Sequence, residues 1–200
     1  MYADVAGDLG DGSVVVQDAG YRLSLVLIGE VPAGRTHCWC LLSCQAANPS
    51  VHRTGNGPAV RGQANGLCGA AFPGRLHLFT GLHTGDVPLR MELHEKAPTV
   101  DLDWEEVVEA TLVTEPGPYW LSTFNWWQEL ETPDAGTYRV RWSANGMDEA
   151  HDLTRLSGEP ARDRYLLQLW PAPAAPDVVI RQHARIAEQY HRSATQPPSR

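Results

Sequence analysis

Lysine is almost missing from this chain: Lys96 stands alone against 15 arginines in 200 residues, the bias of a high-GC genome rather than of any physical demand. Acids are missing locally. From Val31 to Gly85 there is no Asp or Glu, although 24 occur overall. No apolar run reaches the roughly 18 residues of a membrane-spanning helix, so no segment is expected to cross a bilayer. The opening MYADVAGDLGDG is acidic where a secretory leader is basic, and Leu25–Ile28 is too short for a leader's apolar stretch, which makes the cytoplasm the expected location. The sequence holds no G-x-S-x-G, no phosphate-binding Gly/Lys loop and no H-E-x-x-H, so the signatures of common hydrolases, nucleotide enzymes and zinc proteases are absent.

What the chain does have is enough apolar content, 42% against 20% charged, to bury a core rather than stay disordered. Its charge is unevenly placed. Residues 86–159 carry 16 acids and five bases, a net charge of −11, while residues 1–85 are neutral and residues 160–200 are net +3. A block at −11 repels nucleic acid and anionic membranes and steers in basic partners, unless it is only a solubilising surface.

The densest acid lies in Asp101–Ala110, DLDWEEVVEA, where Asp101, Asp103, Glu105, Glu106 and Glu109 surround Trp104. A helix capped at Asp101 or Asp103 is one reading of this stretch. The β-branched run that follows, with Val107, Val108, Thr111, Val113 and Thr114, favours a turn leading into a strand. Other stretches alternate in the same way. Ser13–Gln17 and Tyr21–Ile28 are β-rich runs around Asp18-Ala19-Gly20, a hairpin signature. Arg75–Thr80 and Tyr119–Phe124 read as strands, and Val87–Glu95 as a strand that lies at an edge or has Pro88 at its start, because Pro88 lacks a donor. Thr137–Ser143 puts Tyr138, Val140 and Trp142 inward and Arg139 and Arg141 outward, and Asp134-x-Gly136-x-Tyr138 before it has the form of a tyrosine corner. Asp163–Trp170 is apolar on both faces and is expected at the centre of a sheet. After the stiff PAPAAP spacer, Asp177 is expected to cap a helix running to about Tyr190.

These signals predict a mainly β chain, an antiparallel β-sandwich with one C-terminal helix. Its expected divisions are an N-terminal hairpin with a long Gly- and Cys-containing loop over 1–74, a sandwich core over 75–173, and the helix and tail over 174–200.

The chemistry-bearing residues are sparse. His37, Cys38, Cys40, Cys44 and Cys68 are of zinc-ligand type, but C-x-C-x3-C is not the paired C-x2-C spacing, and alternation makes Cys38, Cys40 and Cys44 a patch of small buried residues instead. Neither metal nor cofactor is expected. His77, His83 and His94 have no motif-spaced nucleophile or carboxylate, so no enzyme is expected. Trp120, Trp126 and Trp127 offer a stacking platform for carbohydrate, and one of the adjacent pair is expected to be exposed as a partner anchor, here Trp127.

The order Leu78-Phe79-Thr80, Pro98 with Asp103-Trp104-Glu105-Glu106, Pro133 with Gly136-x-Tyr138 and Trp142, and Tyr165–Leu169 resembles the competence-protein J type of small bacterial protein, an inhibitor of a DNA-uptake nuclease. The chain also resembles small uncharacterised proteins of high-GC bacteria that end in RYLLQLWPAP. The resemblance covers about Arg75–Pro173. It implies a protein–protein role, not a catalytic one. With the −11 block it gives the expected function: an acidic binding protein that inhibits a basic partner such as a nuclease, with Asp101, Asp103, Glu105, Glu106 and Glu109 supplying charge and Trp104 the anchor. A carbohydrate-binding sandwich is the alternative.

Overall fold

The computed structural model describes residues 39–44, 60, 62–71, 73–82, 87–114, 116, 119–122, 127–130, 134–151, 153 and 159–195, with the backbone alone described at 39–44, 120, 122 and 127–130. The expected hairpin at 13–28, together with His37, Cys38, His83 and Trp126, lies outside them. In chain order the elements are β1 (Trp39–Cys44), β2 (Cys68–Gly69), β3 (Arg75–Phe79), β4 (Leu89–Leu93), β5 (Glu106–Thr114), β6 (Tyr119–Ser122), β7 (Trp127–Leu130), β8 (Gly136–Asn145), α1 (Met147–His151), β9 (Arg164–Pro171), β10 (Val178–Arg181) and α2 (Arg185–Thr195). They form two five-stranded sheets, ordered β2-β3-β1-β6-β7 and β10-β5-β8-β9-β4. The mainly β class, the acidic turn followed by a strand, and the C-terminal helix are therefore as expected. Strands from both sides of residue 74 share the first sheet, so the sheet crosses the division expected there.

One buried apolar cluster draws on both sheets. Alternation along β8 sends Val140, Trp142 and Ala144 to it, opposite Ala110, Val108 and Glu106 of β5, with Tyr138 buried on the same face opposite Leu112. Trp142 stacks on Tyr165 at 5.2 Å between ring centroids, and its indole N–H donates to the Phe79 carbonyl at 3.1 Å. That bond ties the second sheet to the first. Replacing a buried indole of this kind with Ala costs about 3–5 kcal/mol.

β4 is an edge strand and begins directly after Pro88, in keeping with both readings of that proline, and β9 lies between β8 and β4 with both faces covered. The β4–β9 pair is parallel, however, so the expectation of a wholly antiparallel structure fails. β9 is apolar on both faces and needs a neighbour along each edge; β8 takes one, and β4 fills the other running in the same direction.

Four further expectations are corrected. No helix starts at Asp177, because its carboxylate accepts from the Asn65 backbone and side-chain N–H groups at 2.6 and 3.0 Å. The β-branched Val178, Val179 and Ile180 then extend as β10. The helix begins only at Arg185 and continues to Thr195, past the end expected near Tyr190. The supposed structureless loop to Gly74 ends in order: Asn65 is fully buried, its side-chain carbonyl accepts the Leu67 and Cys68 amides, and β2 follows. The corner before β8 is closed by the Thr114 hydroxyl, which accepts from Gly136 at 2.8 Å and donates to the Asp134 carbonyl, rather than by the Tyr138 phenol. Finally, Arg139 and Arg141 are on the outer face but are not solvated, being only 7% and 4% exposed.

Gly146 turns the chain from β8 into α1 at φ 72°, and a Cβ there would lie 2.0 Å from the Arg162 carbonyl oxygen. Gly146→Ala is expected to cost about 2–4 kcal/mol, since the left-handed backbone and the overlap add. Urea denaturation of the full chain measures it.

Candidate functional site

The acidic stretch splits into a surface part and an interior part. At its start, Asp101 accepts the Asp103 amide at 2.9 Å, a tight Asx turn that leaves Leu102 62% exposed between two exposed carboxylates. The turn is held from behind, because Arg181 donates to the Leu102 carbonyl and Asn145 to that of Asp103. Trp104 is half-buried, with the Arg164 guanidinium 4.8 Å from its ring centroid. One indole face is thus already covered.

The remaining three carboxylates serve the fold. Glu105 donates its amide to Asn145 and accepts the Gly146 amide at 2.8 Å, fixing the turn after β8. Glu106 falls on the core face of β5 and is fully buried. Its Oε1 accepts the His183 and Ala184 amides at 2.6 and 2.5 Å, just before α2, while its Oε2 is buried without a partner among the described residues. Asp148 takes the next two amides, Arg185 and Ile186, both at 2.9 Å. Two carboxylates from distant elements therefore satisfy donors that the helix cannot pair itself. Glu109 lies between Arg139 at 3.1 Å and Arg141 at 2.9 Å, with all three side chains largely buried. The acids expected to supply charge together are thus divided: Glu106 lies on the core face of β5, and Glu109 lies on its other face beneath Arg139 and Arg141.

The outer face of the second sheet carries a polar row. Register aligns Glu92, Gln168, Arg141 and Glu109 across β4, β9, β8 and β5. Glu92 accepts from Gln168 at 2.7 Å and meets His94 at 2.9 Å and Arg90 at 2.8 Å. Arg141 also donates to the Pro98 and Thr99 carbonyls and faces Trp170 at 5.1 Å; Arg139 donates to those of Ala175 and Pro176. Two connecting segments are thereby strapped over the sheet. The row is a saturated set of charges, and its chemistry is that of fixing strands and straps.

Other sequence candidates fall elsewhere. Burial pushes the Cys68 thiol far up, which keeps it neutral and a poor metal ligand. Cys40 and Cys68 take register positions on either side of Leu78. Among the described residues no group of three His, Cys, Asp or Glu side chains is arranged to hold a metal. Burial, and then Arg75, lowers the His77 pKa to about 4. Trp127 starts β7 opposite Ser122, and Trp120 in β6 lies opposite Glu129, so the two Trp positions are diagonal neighbours on one face of that strand pair. Neither lies on the sheet that carries the acidic turn. The sequence does not mark Arg139, Arg141, Arg164 and Arg181 as counter-charges; the alternation of Arg139 and Arg141 in one strand is its one local signal.

No family model, curated protein or solved structure matches the chain. Among the described residues no helix is long and apolar enough to cross a membrane.

Burial, opposed by the two amide bonds and reinforced by Glu105 and Asp148, raises the Glu106 pKa from 4.5 to about 7. The folded chain then holds a proton that the unfolded chain has released, so this group's contribution to stability is complete below pH 4.5 and is lost as pH rises through about 7. His191 acts in the opposite sense. Its Nδ1 accepts the Gly66 amide, burial depresses its pKa, and its contribution is lost as pH falls below the usual histidine range. Glu106→Gln keeps the acceptor and removes the titration. The stability difference between wild type and Glu106→Gln is therefore expected to shift against wild type from pH 5 to pH 8, roughly the span set by its two pKa values. Urea denaturation across that range checks it, and a pH-independent difference contradicts the assignment.

Proposed function

We propose that this chain is a cytoplasmic, non-enzymatic acidic binding protein that docks a basic protein, in the manner of an inhibitor or immunity-type partner of a nuclease. The observation that carries the reading is the Asp101–Leu102–Asp103 turn, where a large apolar side chain is 62% exposed between two exposed acids on a backbone held by Arg181 and Asn145. A preformed apolar centre with a charged rim costs little to order on binding. The −11 block around it favours a cationic partner and rapid association. Nuclease sites attract phosphate, and a carboxylate pair competes for the same cations. The resemblance to the competence-protein J type points the same way. We take the two sheets, which share one apolar core, as the layers of a sandwich that presents this turn.

The contact surface proposed is narrower than the whole acidic stretch. Asp101 and Asp103 supply the charge and Leu102 the apolar centre, with Trp104 beside them, whereas Glu105, Glu106 and Glu109 act through the fold. Truncating Glu106, which removes the acceptor of the His183 and Ala184 amides, would disturb α2 as well as any interface. The informative variant is Asp101→Asn with Leu102→Ser and Asp103→Asn, all on the surface. Immobilised wild-type chain is expected to retain strongly basic proteins from a bacterial lysate at low salt, and the triple variant to retain about tenfold less. Equal retention by the two, with both folded by circular dichroism, ends the proposal.

A second reading has its own observation, the diagonal Trp120 and Trp127 positions on β6 and β7. Flat aromatics so placed suit the apolar faces of a sugar ring. Tryptophan emission is then expected to shift on titration with soluble glycans, and emission that stays flat over a broad glycan panel removes this reading.

A further inference from the structure

The second sheet has two open ends, and they are finished differently. Pro88 immediately precedes β4, and the outward Arg90 of the strand is paired with Glu92. Such features keep an edge strand from recruiting another. β10 has neither proline nor lysine within it, and among the described residues no strand pairs with its outer edge. Val178 and Ile180 are each 40% exposed there. A bulge between Val179 and Arg181 is its one guard, and it limits any added strand to a short one. Arg181, the last residue of β10, is also the residue that holds the Leu102 carbonyl. One edge of the sheet thus carries an open strand with two exposed aliphatic side chains, and the Arg181 end of that strand is tied to the turn that exposes Leu102 between Asp101 and Asp103.

We propose that β10 receives a short, extended, basic segment of the partner by strand addition, with the segment's apolar residues on Val178, Ile180 and Leu102 and its cations toward Asp101 and Asp103. Main-chain bonds to an open edge supply affinity in this mode, and side-chain pockets and charge supply selection. The inference rests on the reading of the Asp101–Asp103 turn as the docking surface and adds the form of the occupant. A second copy of the chain is a poorer occupant, because each copy carries a net charge of −8.

The probe is a lysine–valine alternating octapeptide, with two companions: the same peptide methylated on alternate backbone nitrogens, and a glutamate–valine version. Binding is read by anisotropy, and the site by amide hydrogen exchange of the full chain. The lysine peptide is expected to slow exchange at Val178–Arg181. The methylated peptide, with its charge intact but its strand donors blocked, should bind about tenfold or more weakly, and the glutamate peptide should not bind. Equal affinity for the methylated peptide overturns strand addition. Protection at Asp101–Trp104 without protection of β10 overturns it too, but leaves the docking turn standing. Protection at neither place removes both readings. A chain that sediments as a dimer with β10 already protected gives the edge to a second copy instead.

Discussion

Glu109 is gripped by two guanidinium groups that come from the same neighbouring strand, and much of the second sheet depends on that grip. Removing one member of such a buried set costs about 3–5 kcal/mol, because the others are left uncompensated, although the set as a whole adds little net stability over apolar residues of similar size. Its contribution is to alignment. β5 and β8 pair continuously from Glu106 opposite Ala144 to Thr114 opposite Gly136. A slip of one residue would carry Arg139 and Arg141 to the core face and expel Val140 and Trp142. The same guanidinium groups reach the carbonyls of Pro98, Thr99, Ala175 and Pro176, so the connections on either side of the sheet are positioned by the charges that set its register.

This ordering explains how one acidic stretch divides its labour. The carboxylates that fall within β5 are committed by strand alternation, Glu106 to the core and Glu109 to the arginines. The residues before the strand escape alternation and stay at the surface. Their backbone is nevertheless fixed, because Arg181 and Asn145 hold it from two elements that the register has already placed. A rigid exposed turn is the by-product of a well-determined interior.

The sequence carried the local facts well. Alternation in Leu89–Leu93 and in β8, Pro88 at an edge, and the double-faced apolar run of Tyr165–Trp170 all correspond to the structure. It failed where a residue's role depended on a distant partner. Asp177 has the look of a helix cap, and only the position of Asn65 shows that its carboxylate is used elsewhere. Arg139 and Arg141 alternate as solvent-facing residues should, and their burial follows from straps that no local pattern encodes. Glu106 reads as one acid among five, yet its neighbour in space is the start of α2. For the candidate site, the turn and its charge were visible in the sequence. The exposure of Leu102 and the withdrawal of three carboxylates were not.

Asn65 bonds to a residue 112 positions later, and Gly66 to one 125 positions later. Joining ends so remote is thermodynamically mild, since each doubling of a loop adds only about 0.6 kcal/mol of closure entropy. Kinetically these two bonds come late, because neither forms until nearly all of the intervening chain has been placed, although the turn at Asn65 and the β2–β3 pair close locally. Together with a parallel strand pair made over a long excursion, this predisposes the molecule to slow folding, in the range of milliseconds to seconds typical of non-local β topologies. The docking of Asn65 and Gly66 onto Asp177 and His191 is then among the last contacts of the molecule to form.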